Sequence, residues 1–375
     1  MLNRRTLRIK IMQSLFAFDQ CKDANYSLAL DQLEERFSPD LNSMAVQDKE
    51  LLRKQKKEAL QVFEGKFKGA TTATDVDEQV IKEADHALTT YHNHVKKDQD
   101  FFAKNSVMEI DKIDHLYHSV LSLLLEFAAL ANAEKKVDHS NFVDHPYITA
   151  ISKNEELRKQ LLQTNSGWQK NKDSVRDWFR NIIKEDKTYQ DFIAEKMPTE
   201  ETQKELVRHL VRKVILGQGT INDFFEEQDI RWAEDKAIVR SLVDKTFKSY
   251  ADGKIEIQKL SLDWEDDKNF IGKLFKSTVE LDEKYKKLIA KNTKNWEVDR
   301  LPLTDRIIIE MAIAEMIHFS NIPVKVTINE YIELTKEYST PKSKQFINGI
   351  LDVISKSMKE SGDIKKSGRG LIDNK

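Results

Sequence analysis

The 375-residue sequence has little of what makes tight turns, disulfides or bilayer spans. It contains 11 glycines and 6 prolines, a scarcity of turn-forming residues that is typical of helical proteins. The single cysteine, Cys21, excludes an intramolecular disulfide framework and a cysteine-rich zinc site, and it favours a reducing cytoplasm. The most apolar run, residues 120–131, is too short to cross a bilayer. It therefore predicts a buried core helix and no membrane contact.

Charge is abundant but balanced, with 61 basic against 63 acidic residues. A nucleic-acid surface must therefore come from local clustering. The first ten residues contain Arg4, Arg5, Arg8 and Lys10 and no acidic residue. Arg4 and Arg8 lie one helical turn apart, where guanidinium groups can bind phosphates and stack on unpaired bases. The alternative is a solvated helix start, which is also the usual role of basic runs such as residues 53–57.

Hydrophobic periodicity predicts an all-α fold. The first helix is predicted at residues 1–22, with one apolar stripe formed by Leu7, Ile11, Leu15 and Phe18. Two further helical stretches are predicted at 44–68 and 76–134. The sequence contains no convincing strand pattern and no glycine-rich phosphate loop, which argues against nucleotide hydrolysis and dinucleotide redox chemistry.

Three helices are predicted near the C-terminus. Residues 301–317 are nearly apolar on every face, so they predict a central helix. Thr327 and Glu330 match a capping box, which predicts a helix that begins there and ends near Tyr338. The last helix is predicted at 342–359, and the tail after it is expected to be flexible and slightly basic.

The sequence from residue 168 onward predicts a repeat of 32 residues. Trp168, Trp232 and Trp264 occupy the first position of three units, and Glu200 takes that position in the second unit. Each unit has a lysine four residues later and apolar residues at offsets 7, 10, 11 and 15, which lie on one helix stripe. Such repeats favour four stacked helix pairs. Amphipathic helices that coincide in phase are the alternative, because Glu200 and Gly253 break the pattern.

Candidate catalytic and metal-ligating residues are few. His92 and His94 are two residues apart and point about 200° from each other on a helix, so they cannot readily share an ion. His115 and His118 can share a face, but no third ligand is evident in the sequence. Cys21 has no obvious histidine partner for nucleophilic catalysis. We therefore expect no catalytic residue, no metal, no cofactor and no enzymatic activity.

The two ends of the sequence resemble the NusB family. Residues 4–16, Arg-Arg-Thr-Leu-Arg-Ile-Lys-Ile-Met-Gln-Ser-Leu-Phe, look like its arginine-rich first helix. Residues 296–301, 322–334 and 346–351 match its C-terminal pattern, which includes the strings Pro-x-x-Val-x-Ile-Asn-Glu and Phe-x-Asn-Gly-x-Leu. The resemblance covers residues 1–22 and 260–358. It implies an all-α NusB-like core that is interrupted by a long helical insertion.

The resemblance also implies a function: transcription antitermination by binding boxA-type RNA of nascent ribosomal RNA. Binding would occur together with the ribosomal protein NusE, in a complex on RNA polymerase. Residues expected at the RNA are the family-matched Arg4, Arg5, Arg8, Phe16 and Phe346, and the basic Lys10 and Lys342. Asp305 falls where an acidic residue contacts NusE. Lys342 departs from the family, whose members carry an acidic residue in that loop.

The predicted organisation has five parts. They are a first core helix at 1–22, an inserted helical region at 23–165, a repeat region at 166–260, a NusB-like C-terminal core at 261–358, and a flexible basic tail at 359–375. Two alternative functions are a helical interaction scaffold without RNA binding and the RNA-recruiting domain of an RNA methyltransferase. The methyltransferase would need an α/β domain with a glycine-rich cofactor loop and a catalytic cysteine, and neither is evident in the sequence.

Overall fold

A computed structural model gives the fold of the chain. It describes residues 2–40, 42, 44, 46–70, 76–164, 166–217, 219–293 and 301–374. Across these ranges the chain is helical, and the only β contact described is an isolated bridge between Ala251 and Lys254. The predicted all-α fold is confirmed. Residues 296–300 of the family-like pattern lie outside the described residues.

Sixteen α-helices are described within these ranges. They are α1 (Arg4–Arg36), α2 (Lys49–Phe67), α3 (Glu78–Ala133), α4 (Ser140–Val143), α5 (Pro146–Ser152), α6 (Glu155–Thr164), α7 (Lys172–Trp178), α8 (Lys187–Ala194), α9 (Glu200–His209), α10 (Thr220–Gln228), α11 (Trp232–Lys248), α12 (Trp264–Val279), α13 (Glu283–Asn292), α14 (Leu303–His318), α15 (Val324–Tyr338) and α16 (Ser343–Glu360). Two π-helical segments, Phe179–Ile183 and Leu210–Ile215, continue α7 and α9, and a 3-10 helix spans Gly368–Asn374.

The chain divides into two compact units. Unit I comprises Met1–Arg4 with Met108–Asp267, and unit II comprises Arg5–Val107 with Lys268–Lys375. Most of the residues that resemble the NusB family therefore fall in unit II. The five-part organisation drawn from the sequence remains a prediction.

Helix α14 is the centre of unit II. Its residues from Ile307 to Ile309 and from Met311 to Met316 are all buried, which confirms the central helix expected from its apolar sequence. Helices α13, α15 and α16 pack around it. An all-round apolar helix is stable only when neighbouring helices cover its faces, and these three helices contribute to that cover.

A second hydrophobic cluster in unit II explains why α1 is longer than expected. The helix continues to Arg36, well beyond the predicted end at residue 22. Ala29 and Leu33 on this extension are buried in one cluster with Phe63 of α2 and Ala84 of α3. Burial of these side chains favours the continued helix even though residues 19–28 contain several polar side chains.

Unit I contains the apolar part of α3. The predicted helix at 76–134 corresponds to α3, and most of the apolar side chains of residues 120–131 are buried there, as expected, although Ala129 is exposed. Of the helices that the structure describes, α3 alone is long and apolar enough to cross a membrane by length and composition. Of the 18-residue stretch of α3 that meets this criterion, 56% is buried inside the protein, and core helices of soluble proteins meet the same criterion.

The predicted 32-residue repeat is not confirmed. Helices α7, α9, α11 and α12 begin near the expected starts of the four units. The third unit, however, has no second helix after α11, where Gly253 adopts a φ of +73°. Trp168 and Trp232 are buried, whereas Trp264 is only half-buried. The three tryptophans do not share one environment.

The tail also differs from expectation. The ammonium group of Lys366 donates a hydrogen bond to the carbonyl oxygen of Phe319 at 2.9 Å. The backbone N–H of Ser367 donates a hydrogen bond to the carbonyl oxygen of Ser320 at 3.1 Å. These bonds hold the residues after α16 against the end of α14, so the segment is ordered in a 3-10 helix and is not a free tail.

Candidate nucleic-acid interface

Helix α1 carries most of the residues expected at the RNA. Its stripe of Leu7, Ile11, Leu15 and Phe18 is buried, as the periodicity predicted. The stripe fixes the rotation of the helix about its own axis, so it decides which basic side chains reach the surface.

Arg8 is buried, with 2% of its surface exposed. Its Nε and Nη2 donate to the two carboxylate oxygens of Glu315 at 2.7 and 2.8 Å. The guanidinium also lies 5.6 Å from the ring centroid of Phe270 and 5.7 Å from that of Tyr331. Burial alone would lower the pKa of Arg8, but the hydrogen bond and the charge of Glu315 outweigh it, so the pKa is raised. The guanidinium stays charged inside the protein.

Glu315 of α14 is fully buried and collects donors from three residues. Besides Arg8, the hydroxyl of Thr327 donates to it at 2.8 Å and the hydroxyl of Tyr331 at 3.2 Å. A buried carboxylate is stable only when its oxygens are satisfied in this way. Burial and the adjacent charge of Glu315 raise the pKa of Tyr331 well above its ordinary value, so the phenol remains a donor.

The capping box predicted at Thr327 and Glu330 is wrong. Helix α15 begins at Val324, after Pro323, so Thr327 lies inside the helix. Its side chain bonds to Glu315, and the carboxylate of Glu330 pairs with Arg5. The Thr-x-x-Glu spacing fits a cap, but both side chains have tertiary partners that satisfy them better.

Arg5 forms a two-point ion pair with Glu330 at the surface. Its Nε and Nη2 donate to the carboxylate at 3.1 and 3.0 Å, and its side chain is 38% exposed. The hydrogen bond to Glu330 raises the pKa of Arg5, and the charges of Glu333 and Glu337 act in the same direction. The surroundings of Arg5 are therefore acidic.

Arg4 belongs to unit I. Its guanidinium forms an ion pair with Asp266 and lies 3.7 Å from a carboxylate oxygen of Asp267. Like Arg5, it is partly exposed and faces acidic side chains.

The four basic residues predicted to form one cluster at residues 4–10 do not form one exposed patch. Arg8 and Lys10 are each 2% exposed. Lys10 follows Leu7 by three residues and Arg8 precedes Met12 by four, so both lie beside buried positions of the helix. Direct RNA contact is therefore open to Arg4 and Arg5 but not to the two buried residues in this conformation.

The remaining residues expected at the RNA are accessible. Phe16 is 41% exposed, which is unusual for a large aromatic side chain on a core helix. Lys342 is exposed at the N-cap position of α16. Phe346 is half-buried and lines a shallow cavity together with Thr293 and Val353.

Asp305 is placed differently from the expectation. Only 2% of its surface is exposed, and its Oδ1 accepts a hydrogen bond from the hydroxyl of Ser339 at the end of α15. A buried, bonded carboxylate does not present a charge to a partner protein. Its position in the first turn of α14 also suits the helix dipole.

Comparisons with known proteins agree with the C-terminal part of the resemblance. Residues 236–356 match the NusB family. This part of the chain is therefore similar to the NusB family. Similar proteins include those named transcription antitermination protein NusB from Chloroherpeton thalassium, 47% identical over 76 residues, from Salinibacter ruber, 41% over 75, and from Dictyoglomus turgidum, 43% over 76.

These alignments are partial on both sides. Each covers 20% of this chain, and they cover 36%, 47% and 51% of the three relatives. The chain thus spans about half or less of the length of the curated relatives it matches. No solved structure matches the chain. Helix α1 lies outside the matched residues of the NusB domain, so its role rests on the contacts described above.

Sequence reasoning did not identify two residues that shape the candidate site. Glu315 and Glu330 determine where the arginines of α1 point. Glu315 did carry a signal, because it is an acid inside an otherwise apolar helix, and such an acid needs a buried cation. Glu330 carried none, because its capping-box spacing had an adequate local explanation.

Proposed function

We propose that this protein is a transcription antitermination factor that binds boxA-type RNA together with the ribosomal protein NusE. The observation that carries the proposal is the buried ion pair between Arg8 and Glu315, which fastens the arginine-bearing α1 to the central helix of the NusB domain. The three relatives that were compared are named transcription antitermination proteins. On this proposal the protein acts in the cytoplasm, without catalysis or cofactor, within an RNA polymerase antitermination complex.

We expect the accessible residues to contribute to RNA binding in different ways. Arg5 supplies a guanidinium fork that can reach phosphate, and exposed Lys342 adds a second charge. Phe16 offers an exposed ring on which a base can stack, and Phe346 a half-buried one. Arg4 is partly exposed in unit I. Arg8 acts as a positioning residue, because its buried pair holds α1 in place.

Glu330 is expected to limit RNA affinity. Its carboxylate occupies the guanidinium fork of Arg5, so a phosphate that binds Arg5 must share or displace it. Glu330→Gln removes the competing charge and should increase affinity. Arg5→Ala should decrease affinity, because it deletes the phosphate contact.

Because Asp305 is buried, its role in binding NusE differs from the direct contact that was expected. The bond between Asp305 and Ser339 fixes the start of α14 to the end of α15. We propose that Asp305 supports NusE binding by holding this junction in shape, and that the direct contacts come from neighbouring exposed residues.

Fluorescence anisotropy with a labelled boxA RNA, at several salt concentrations and with or without NusE, tests the proposal. Each single-strand phosphate contact contributes a log–log salt slope of about −0.7, so Arg5→Ala should weaken binding and flatten the slope by about that amount. Phe16→Ala should weaken binding by about 1–3 kcal/mol and keep the slope, because stacking involves no counterion release.

Matched controls are available in the same unit. Arg36 is an exposed arginine on α1, and Phe101 is an exposed aromatic residue on α3. Arg36→Ala and Phe101→Ala should bind RNA as the parent does. If Arg5→Ala and Phe16→Ala also keep the parent affinity and slope, the protein does not use this surface for RNA.

A further inference from the structure

A cavity of about 250 Å³ in unit I has no role in RNA binding as proposed above. Three carboxylates line it: Asp111 and Asp114 of α3 and Glu156 of α6. The indole of Trp264 and the apolar side chains of Ile257 and Leu260 form other parts of its wall. A cavity that combines carboxylates with an aromatic face has the chemistry that recognises organic cations.

His118 provides a second observation, which does not depend on the acidic cluster. It lines the same cavity, is 2% exposed, and its Nδ1 has no hydrogen-bond partner among the described residues. Nδ1 lies 3.7 Å from Oδ2 of Asp114, too far for a direct hydrogen bond. A buried nitrogen without a partner is costly, so a ligand that donates an N–H between these two atoms would remove the penalty.

The ionisation of the groups that line the cavity favours a cationic ligand. Burial, together with the charges of Asp111 and Glu156, raises the pKa of Asp114 to about 6. Burial and the adjacent His115 lower the pKa of His118 to about 4, so its imidazole is neutral at pH 7. Lys259 is the basic residue in the wall, and it is exposed. The carboxylates thus outnumber the positive charges.

A metal ion is a poorer fit than an organic cation. Among the described residues, no group of three or more His, Cys, Asp or Glu side chains is placed to hold a metal ion. The cavity is also much larger than a bare ion, and it has room for an alkyl chain against Leu260 and Trp264. Sequence spacing singled out His115 and His118, but it gave no indication of Glu156 of α6, which lines the same cavity as His118.

We propose that this cavity binds an organic cation with a primary ammonium or guanidinium group, supplied by a free polyamine or by a lysine or arginine side chain of another protein. The cationic head lies between His118 and Asp114. In the Nε2–H tautomer, Nδ1 of His118 accepts one of its hydrogen bonds and Asp114 accepts another. Glu156 adds charge attraction at the entrance, and the alkyl part packs on Trp264.

Isothermal titration calorimetry of the full chain at pH 7.5 tests the proposal with two probes. One probe is spermidine, and the other is a short uncharged peptide that contains a single arginine or lysine. We expect saturable one-site binding of at least one probe. Binding of spermidine alone assigns the site to polyamines, and binding of the peptide alone assigns it to a basic side chain.

Neighbouring glutamates in α6 give a matched pair of variants. Glu155 and Glu156 are both exposed in the first turn of α6, but only Glu156 lines the cavity. Glu156→Gln should weaken binding at least about fivefold, the effect of one charge at roughly 4 Å in water, and Glu155→Gln by less than about twofold. Asp114→Asn should weaken binding more strongly. Circular dichroism confirms folding, and Glu156→Gln keeps the test valid if Asp114→Asn fails to fold.

Two outcomes would overturn the proposal. One is the absence of saturable binding of either probe. The other is equal weakening by Glu155→Gln and Glu156→Gln, which would show general attraction to an acidic surface, with water filling the space between His118 and Asp114. Neither outcome bears on RNA binding, which involves other residues.

Discussion

The guanidinium of Arg8 and the carboxylate of Glu315 form a buried two-point ion pair with N–O distances of 2.7 and 2.8 Å. Arg8 lies on α1 and Glu315 on α14, the central helix of unit II, 307 residues later in the sequence. The pair therefore connects the two ends of the family-like sequence, although the chain between them includes Met108–Asp267, the larger part of unit I.

Breaking this pair should destabilise the protein strongly. Arg8→Ala leaves Glu315 as a buried charge without its cation, and such losses cost about 3–5 kcal/mol. Arg5→Ala removes a pair whose arginine is 38% exposed, and should cost only about 0–1 kcal/mol. Urea unfolding followed by circular dichroism measures both effects.

A double variant separates the ion pair from simple packing. Replacing Arg8 by Met and Glu315 by Leu removes both charges at once, so it should recover part of the stability that Arg8→Ala loses. Equal losses in Arg8→Ala and Arg5→Ala would contradict the buried pair.

The bond between Asp305 and Ser339 gives a second prediction. A hydrogen bond to a charged group contributes about 1.5–3 kcal/mol, so Ser339→Ala and Asp305→Ala should each lower the unfolding free energy by roughly that amount. Their combination should cost less than the sum, because both remove one interaction. Asp352→Ala, at an exposed position of α16, serves as the control. Additive losses would show that the two residues act separately.

Long helices could be predicted from the sequence because their signals are local. Residues 76–134 contain no proline or glycine and show apolar periodicity, and α3 spans Glu78–Ala133. The end of α1 could not be predicted, because residues 23–36 are helical owing to their packing against α2 and α3. The start of α15 was also misplaced, because the real partner of Thr327 lies on another helix.

For the candidate site, the sequence allowed the basic residues to be identified, but it did not show which of them are exposed. The arginine cluster of α1 was visible in the sequence, and so was the stripe that packs α1 against the protein. The stripe places Arg8 beside buried positions of α1, but its partner Glu315 is 307 residues away, and no local pattern links residues so far apart. The same holds for Asp305, whose burial depends on Ser339.

The three tryptophans of the predicted repeat should respond differently to substitution. Trp232 is fully buried, stacks on Phe225 at 4.6 Å between centroids and donates to Asn222 at 2.9 Å. Trp232→Ala should therefore cost about 3–5 kcal/mol. Trp264 is half-buried, and Trp264→Ala should cost about 1 kcal/mol. Urea unfolding measures both, and equal losses would support equivalent sites and hence the repeat.

His145 predicts how the stability of the protein depends on pH. The ring is fully buried between Tyr147 and Phe192, and its Nε2 lies 3.0 Å from the carbonyl oxygen of Gln203. Burial lowers the pKa of His145 to about 4, although the bond to Gln203 acts in the opposite direction. The folded protein thus holds this imidazole neutral at pH values where the unfolded chain protonates it.

The sign of the pH effect follows from the protons bound in each state. Between about pH 6.5 and pH 4 the unfolded chain binds the extra proton, so stability falls as the pH falls, by roughly 3 kcal/mol across that range. His118 acts in the same direction, and the raised pKa of Asp114 acts against it. We expect His145→Gln to reduce the dependence of the unfolding free energy on pH between 7.5 and 5, measured by urea titration. His92→Gln, at an exposed position of α3, is the matched control. An unchanged slope in His145→Gln would show that the folded state protonates this ring as readily as the unfolded chain does.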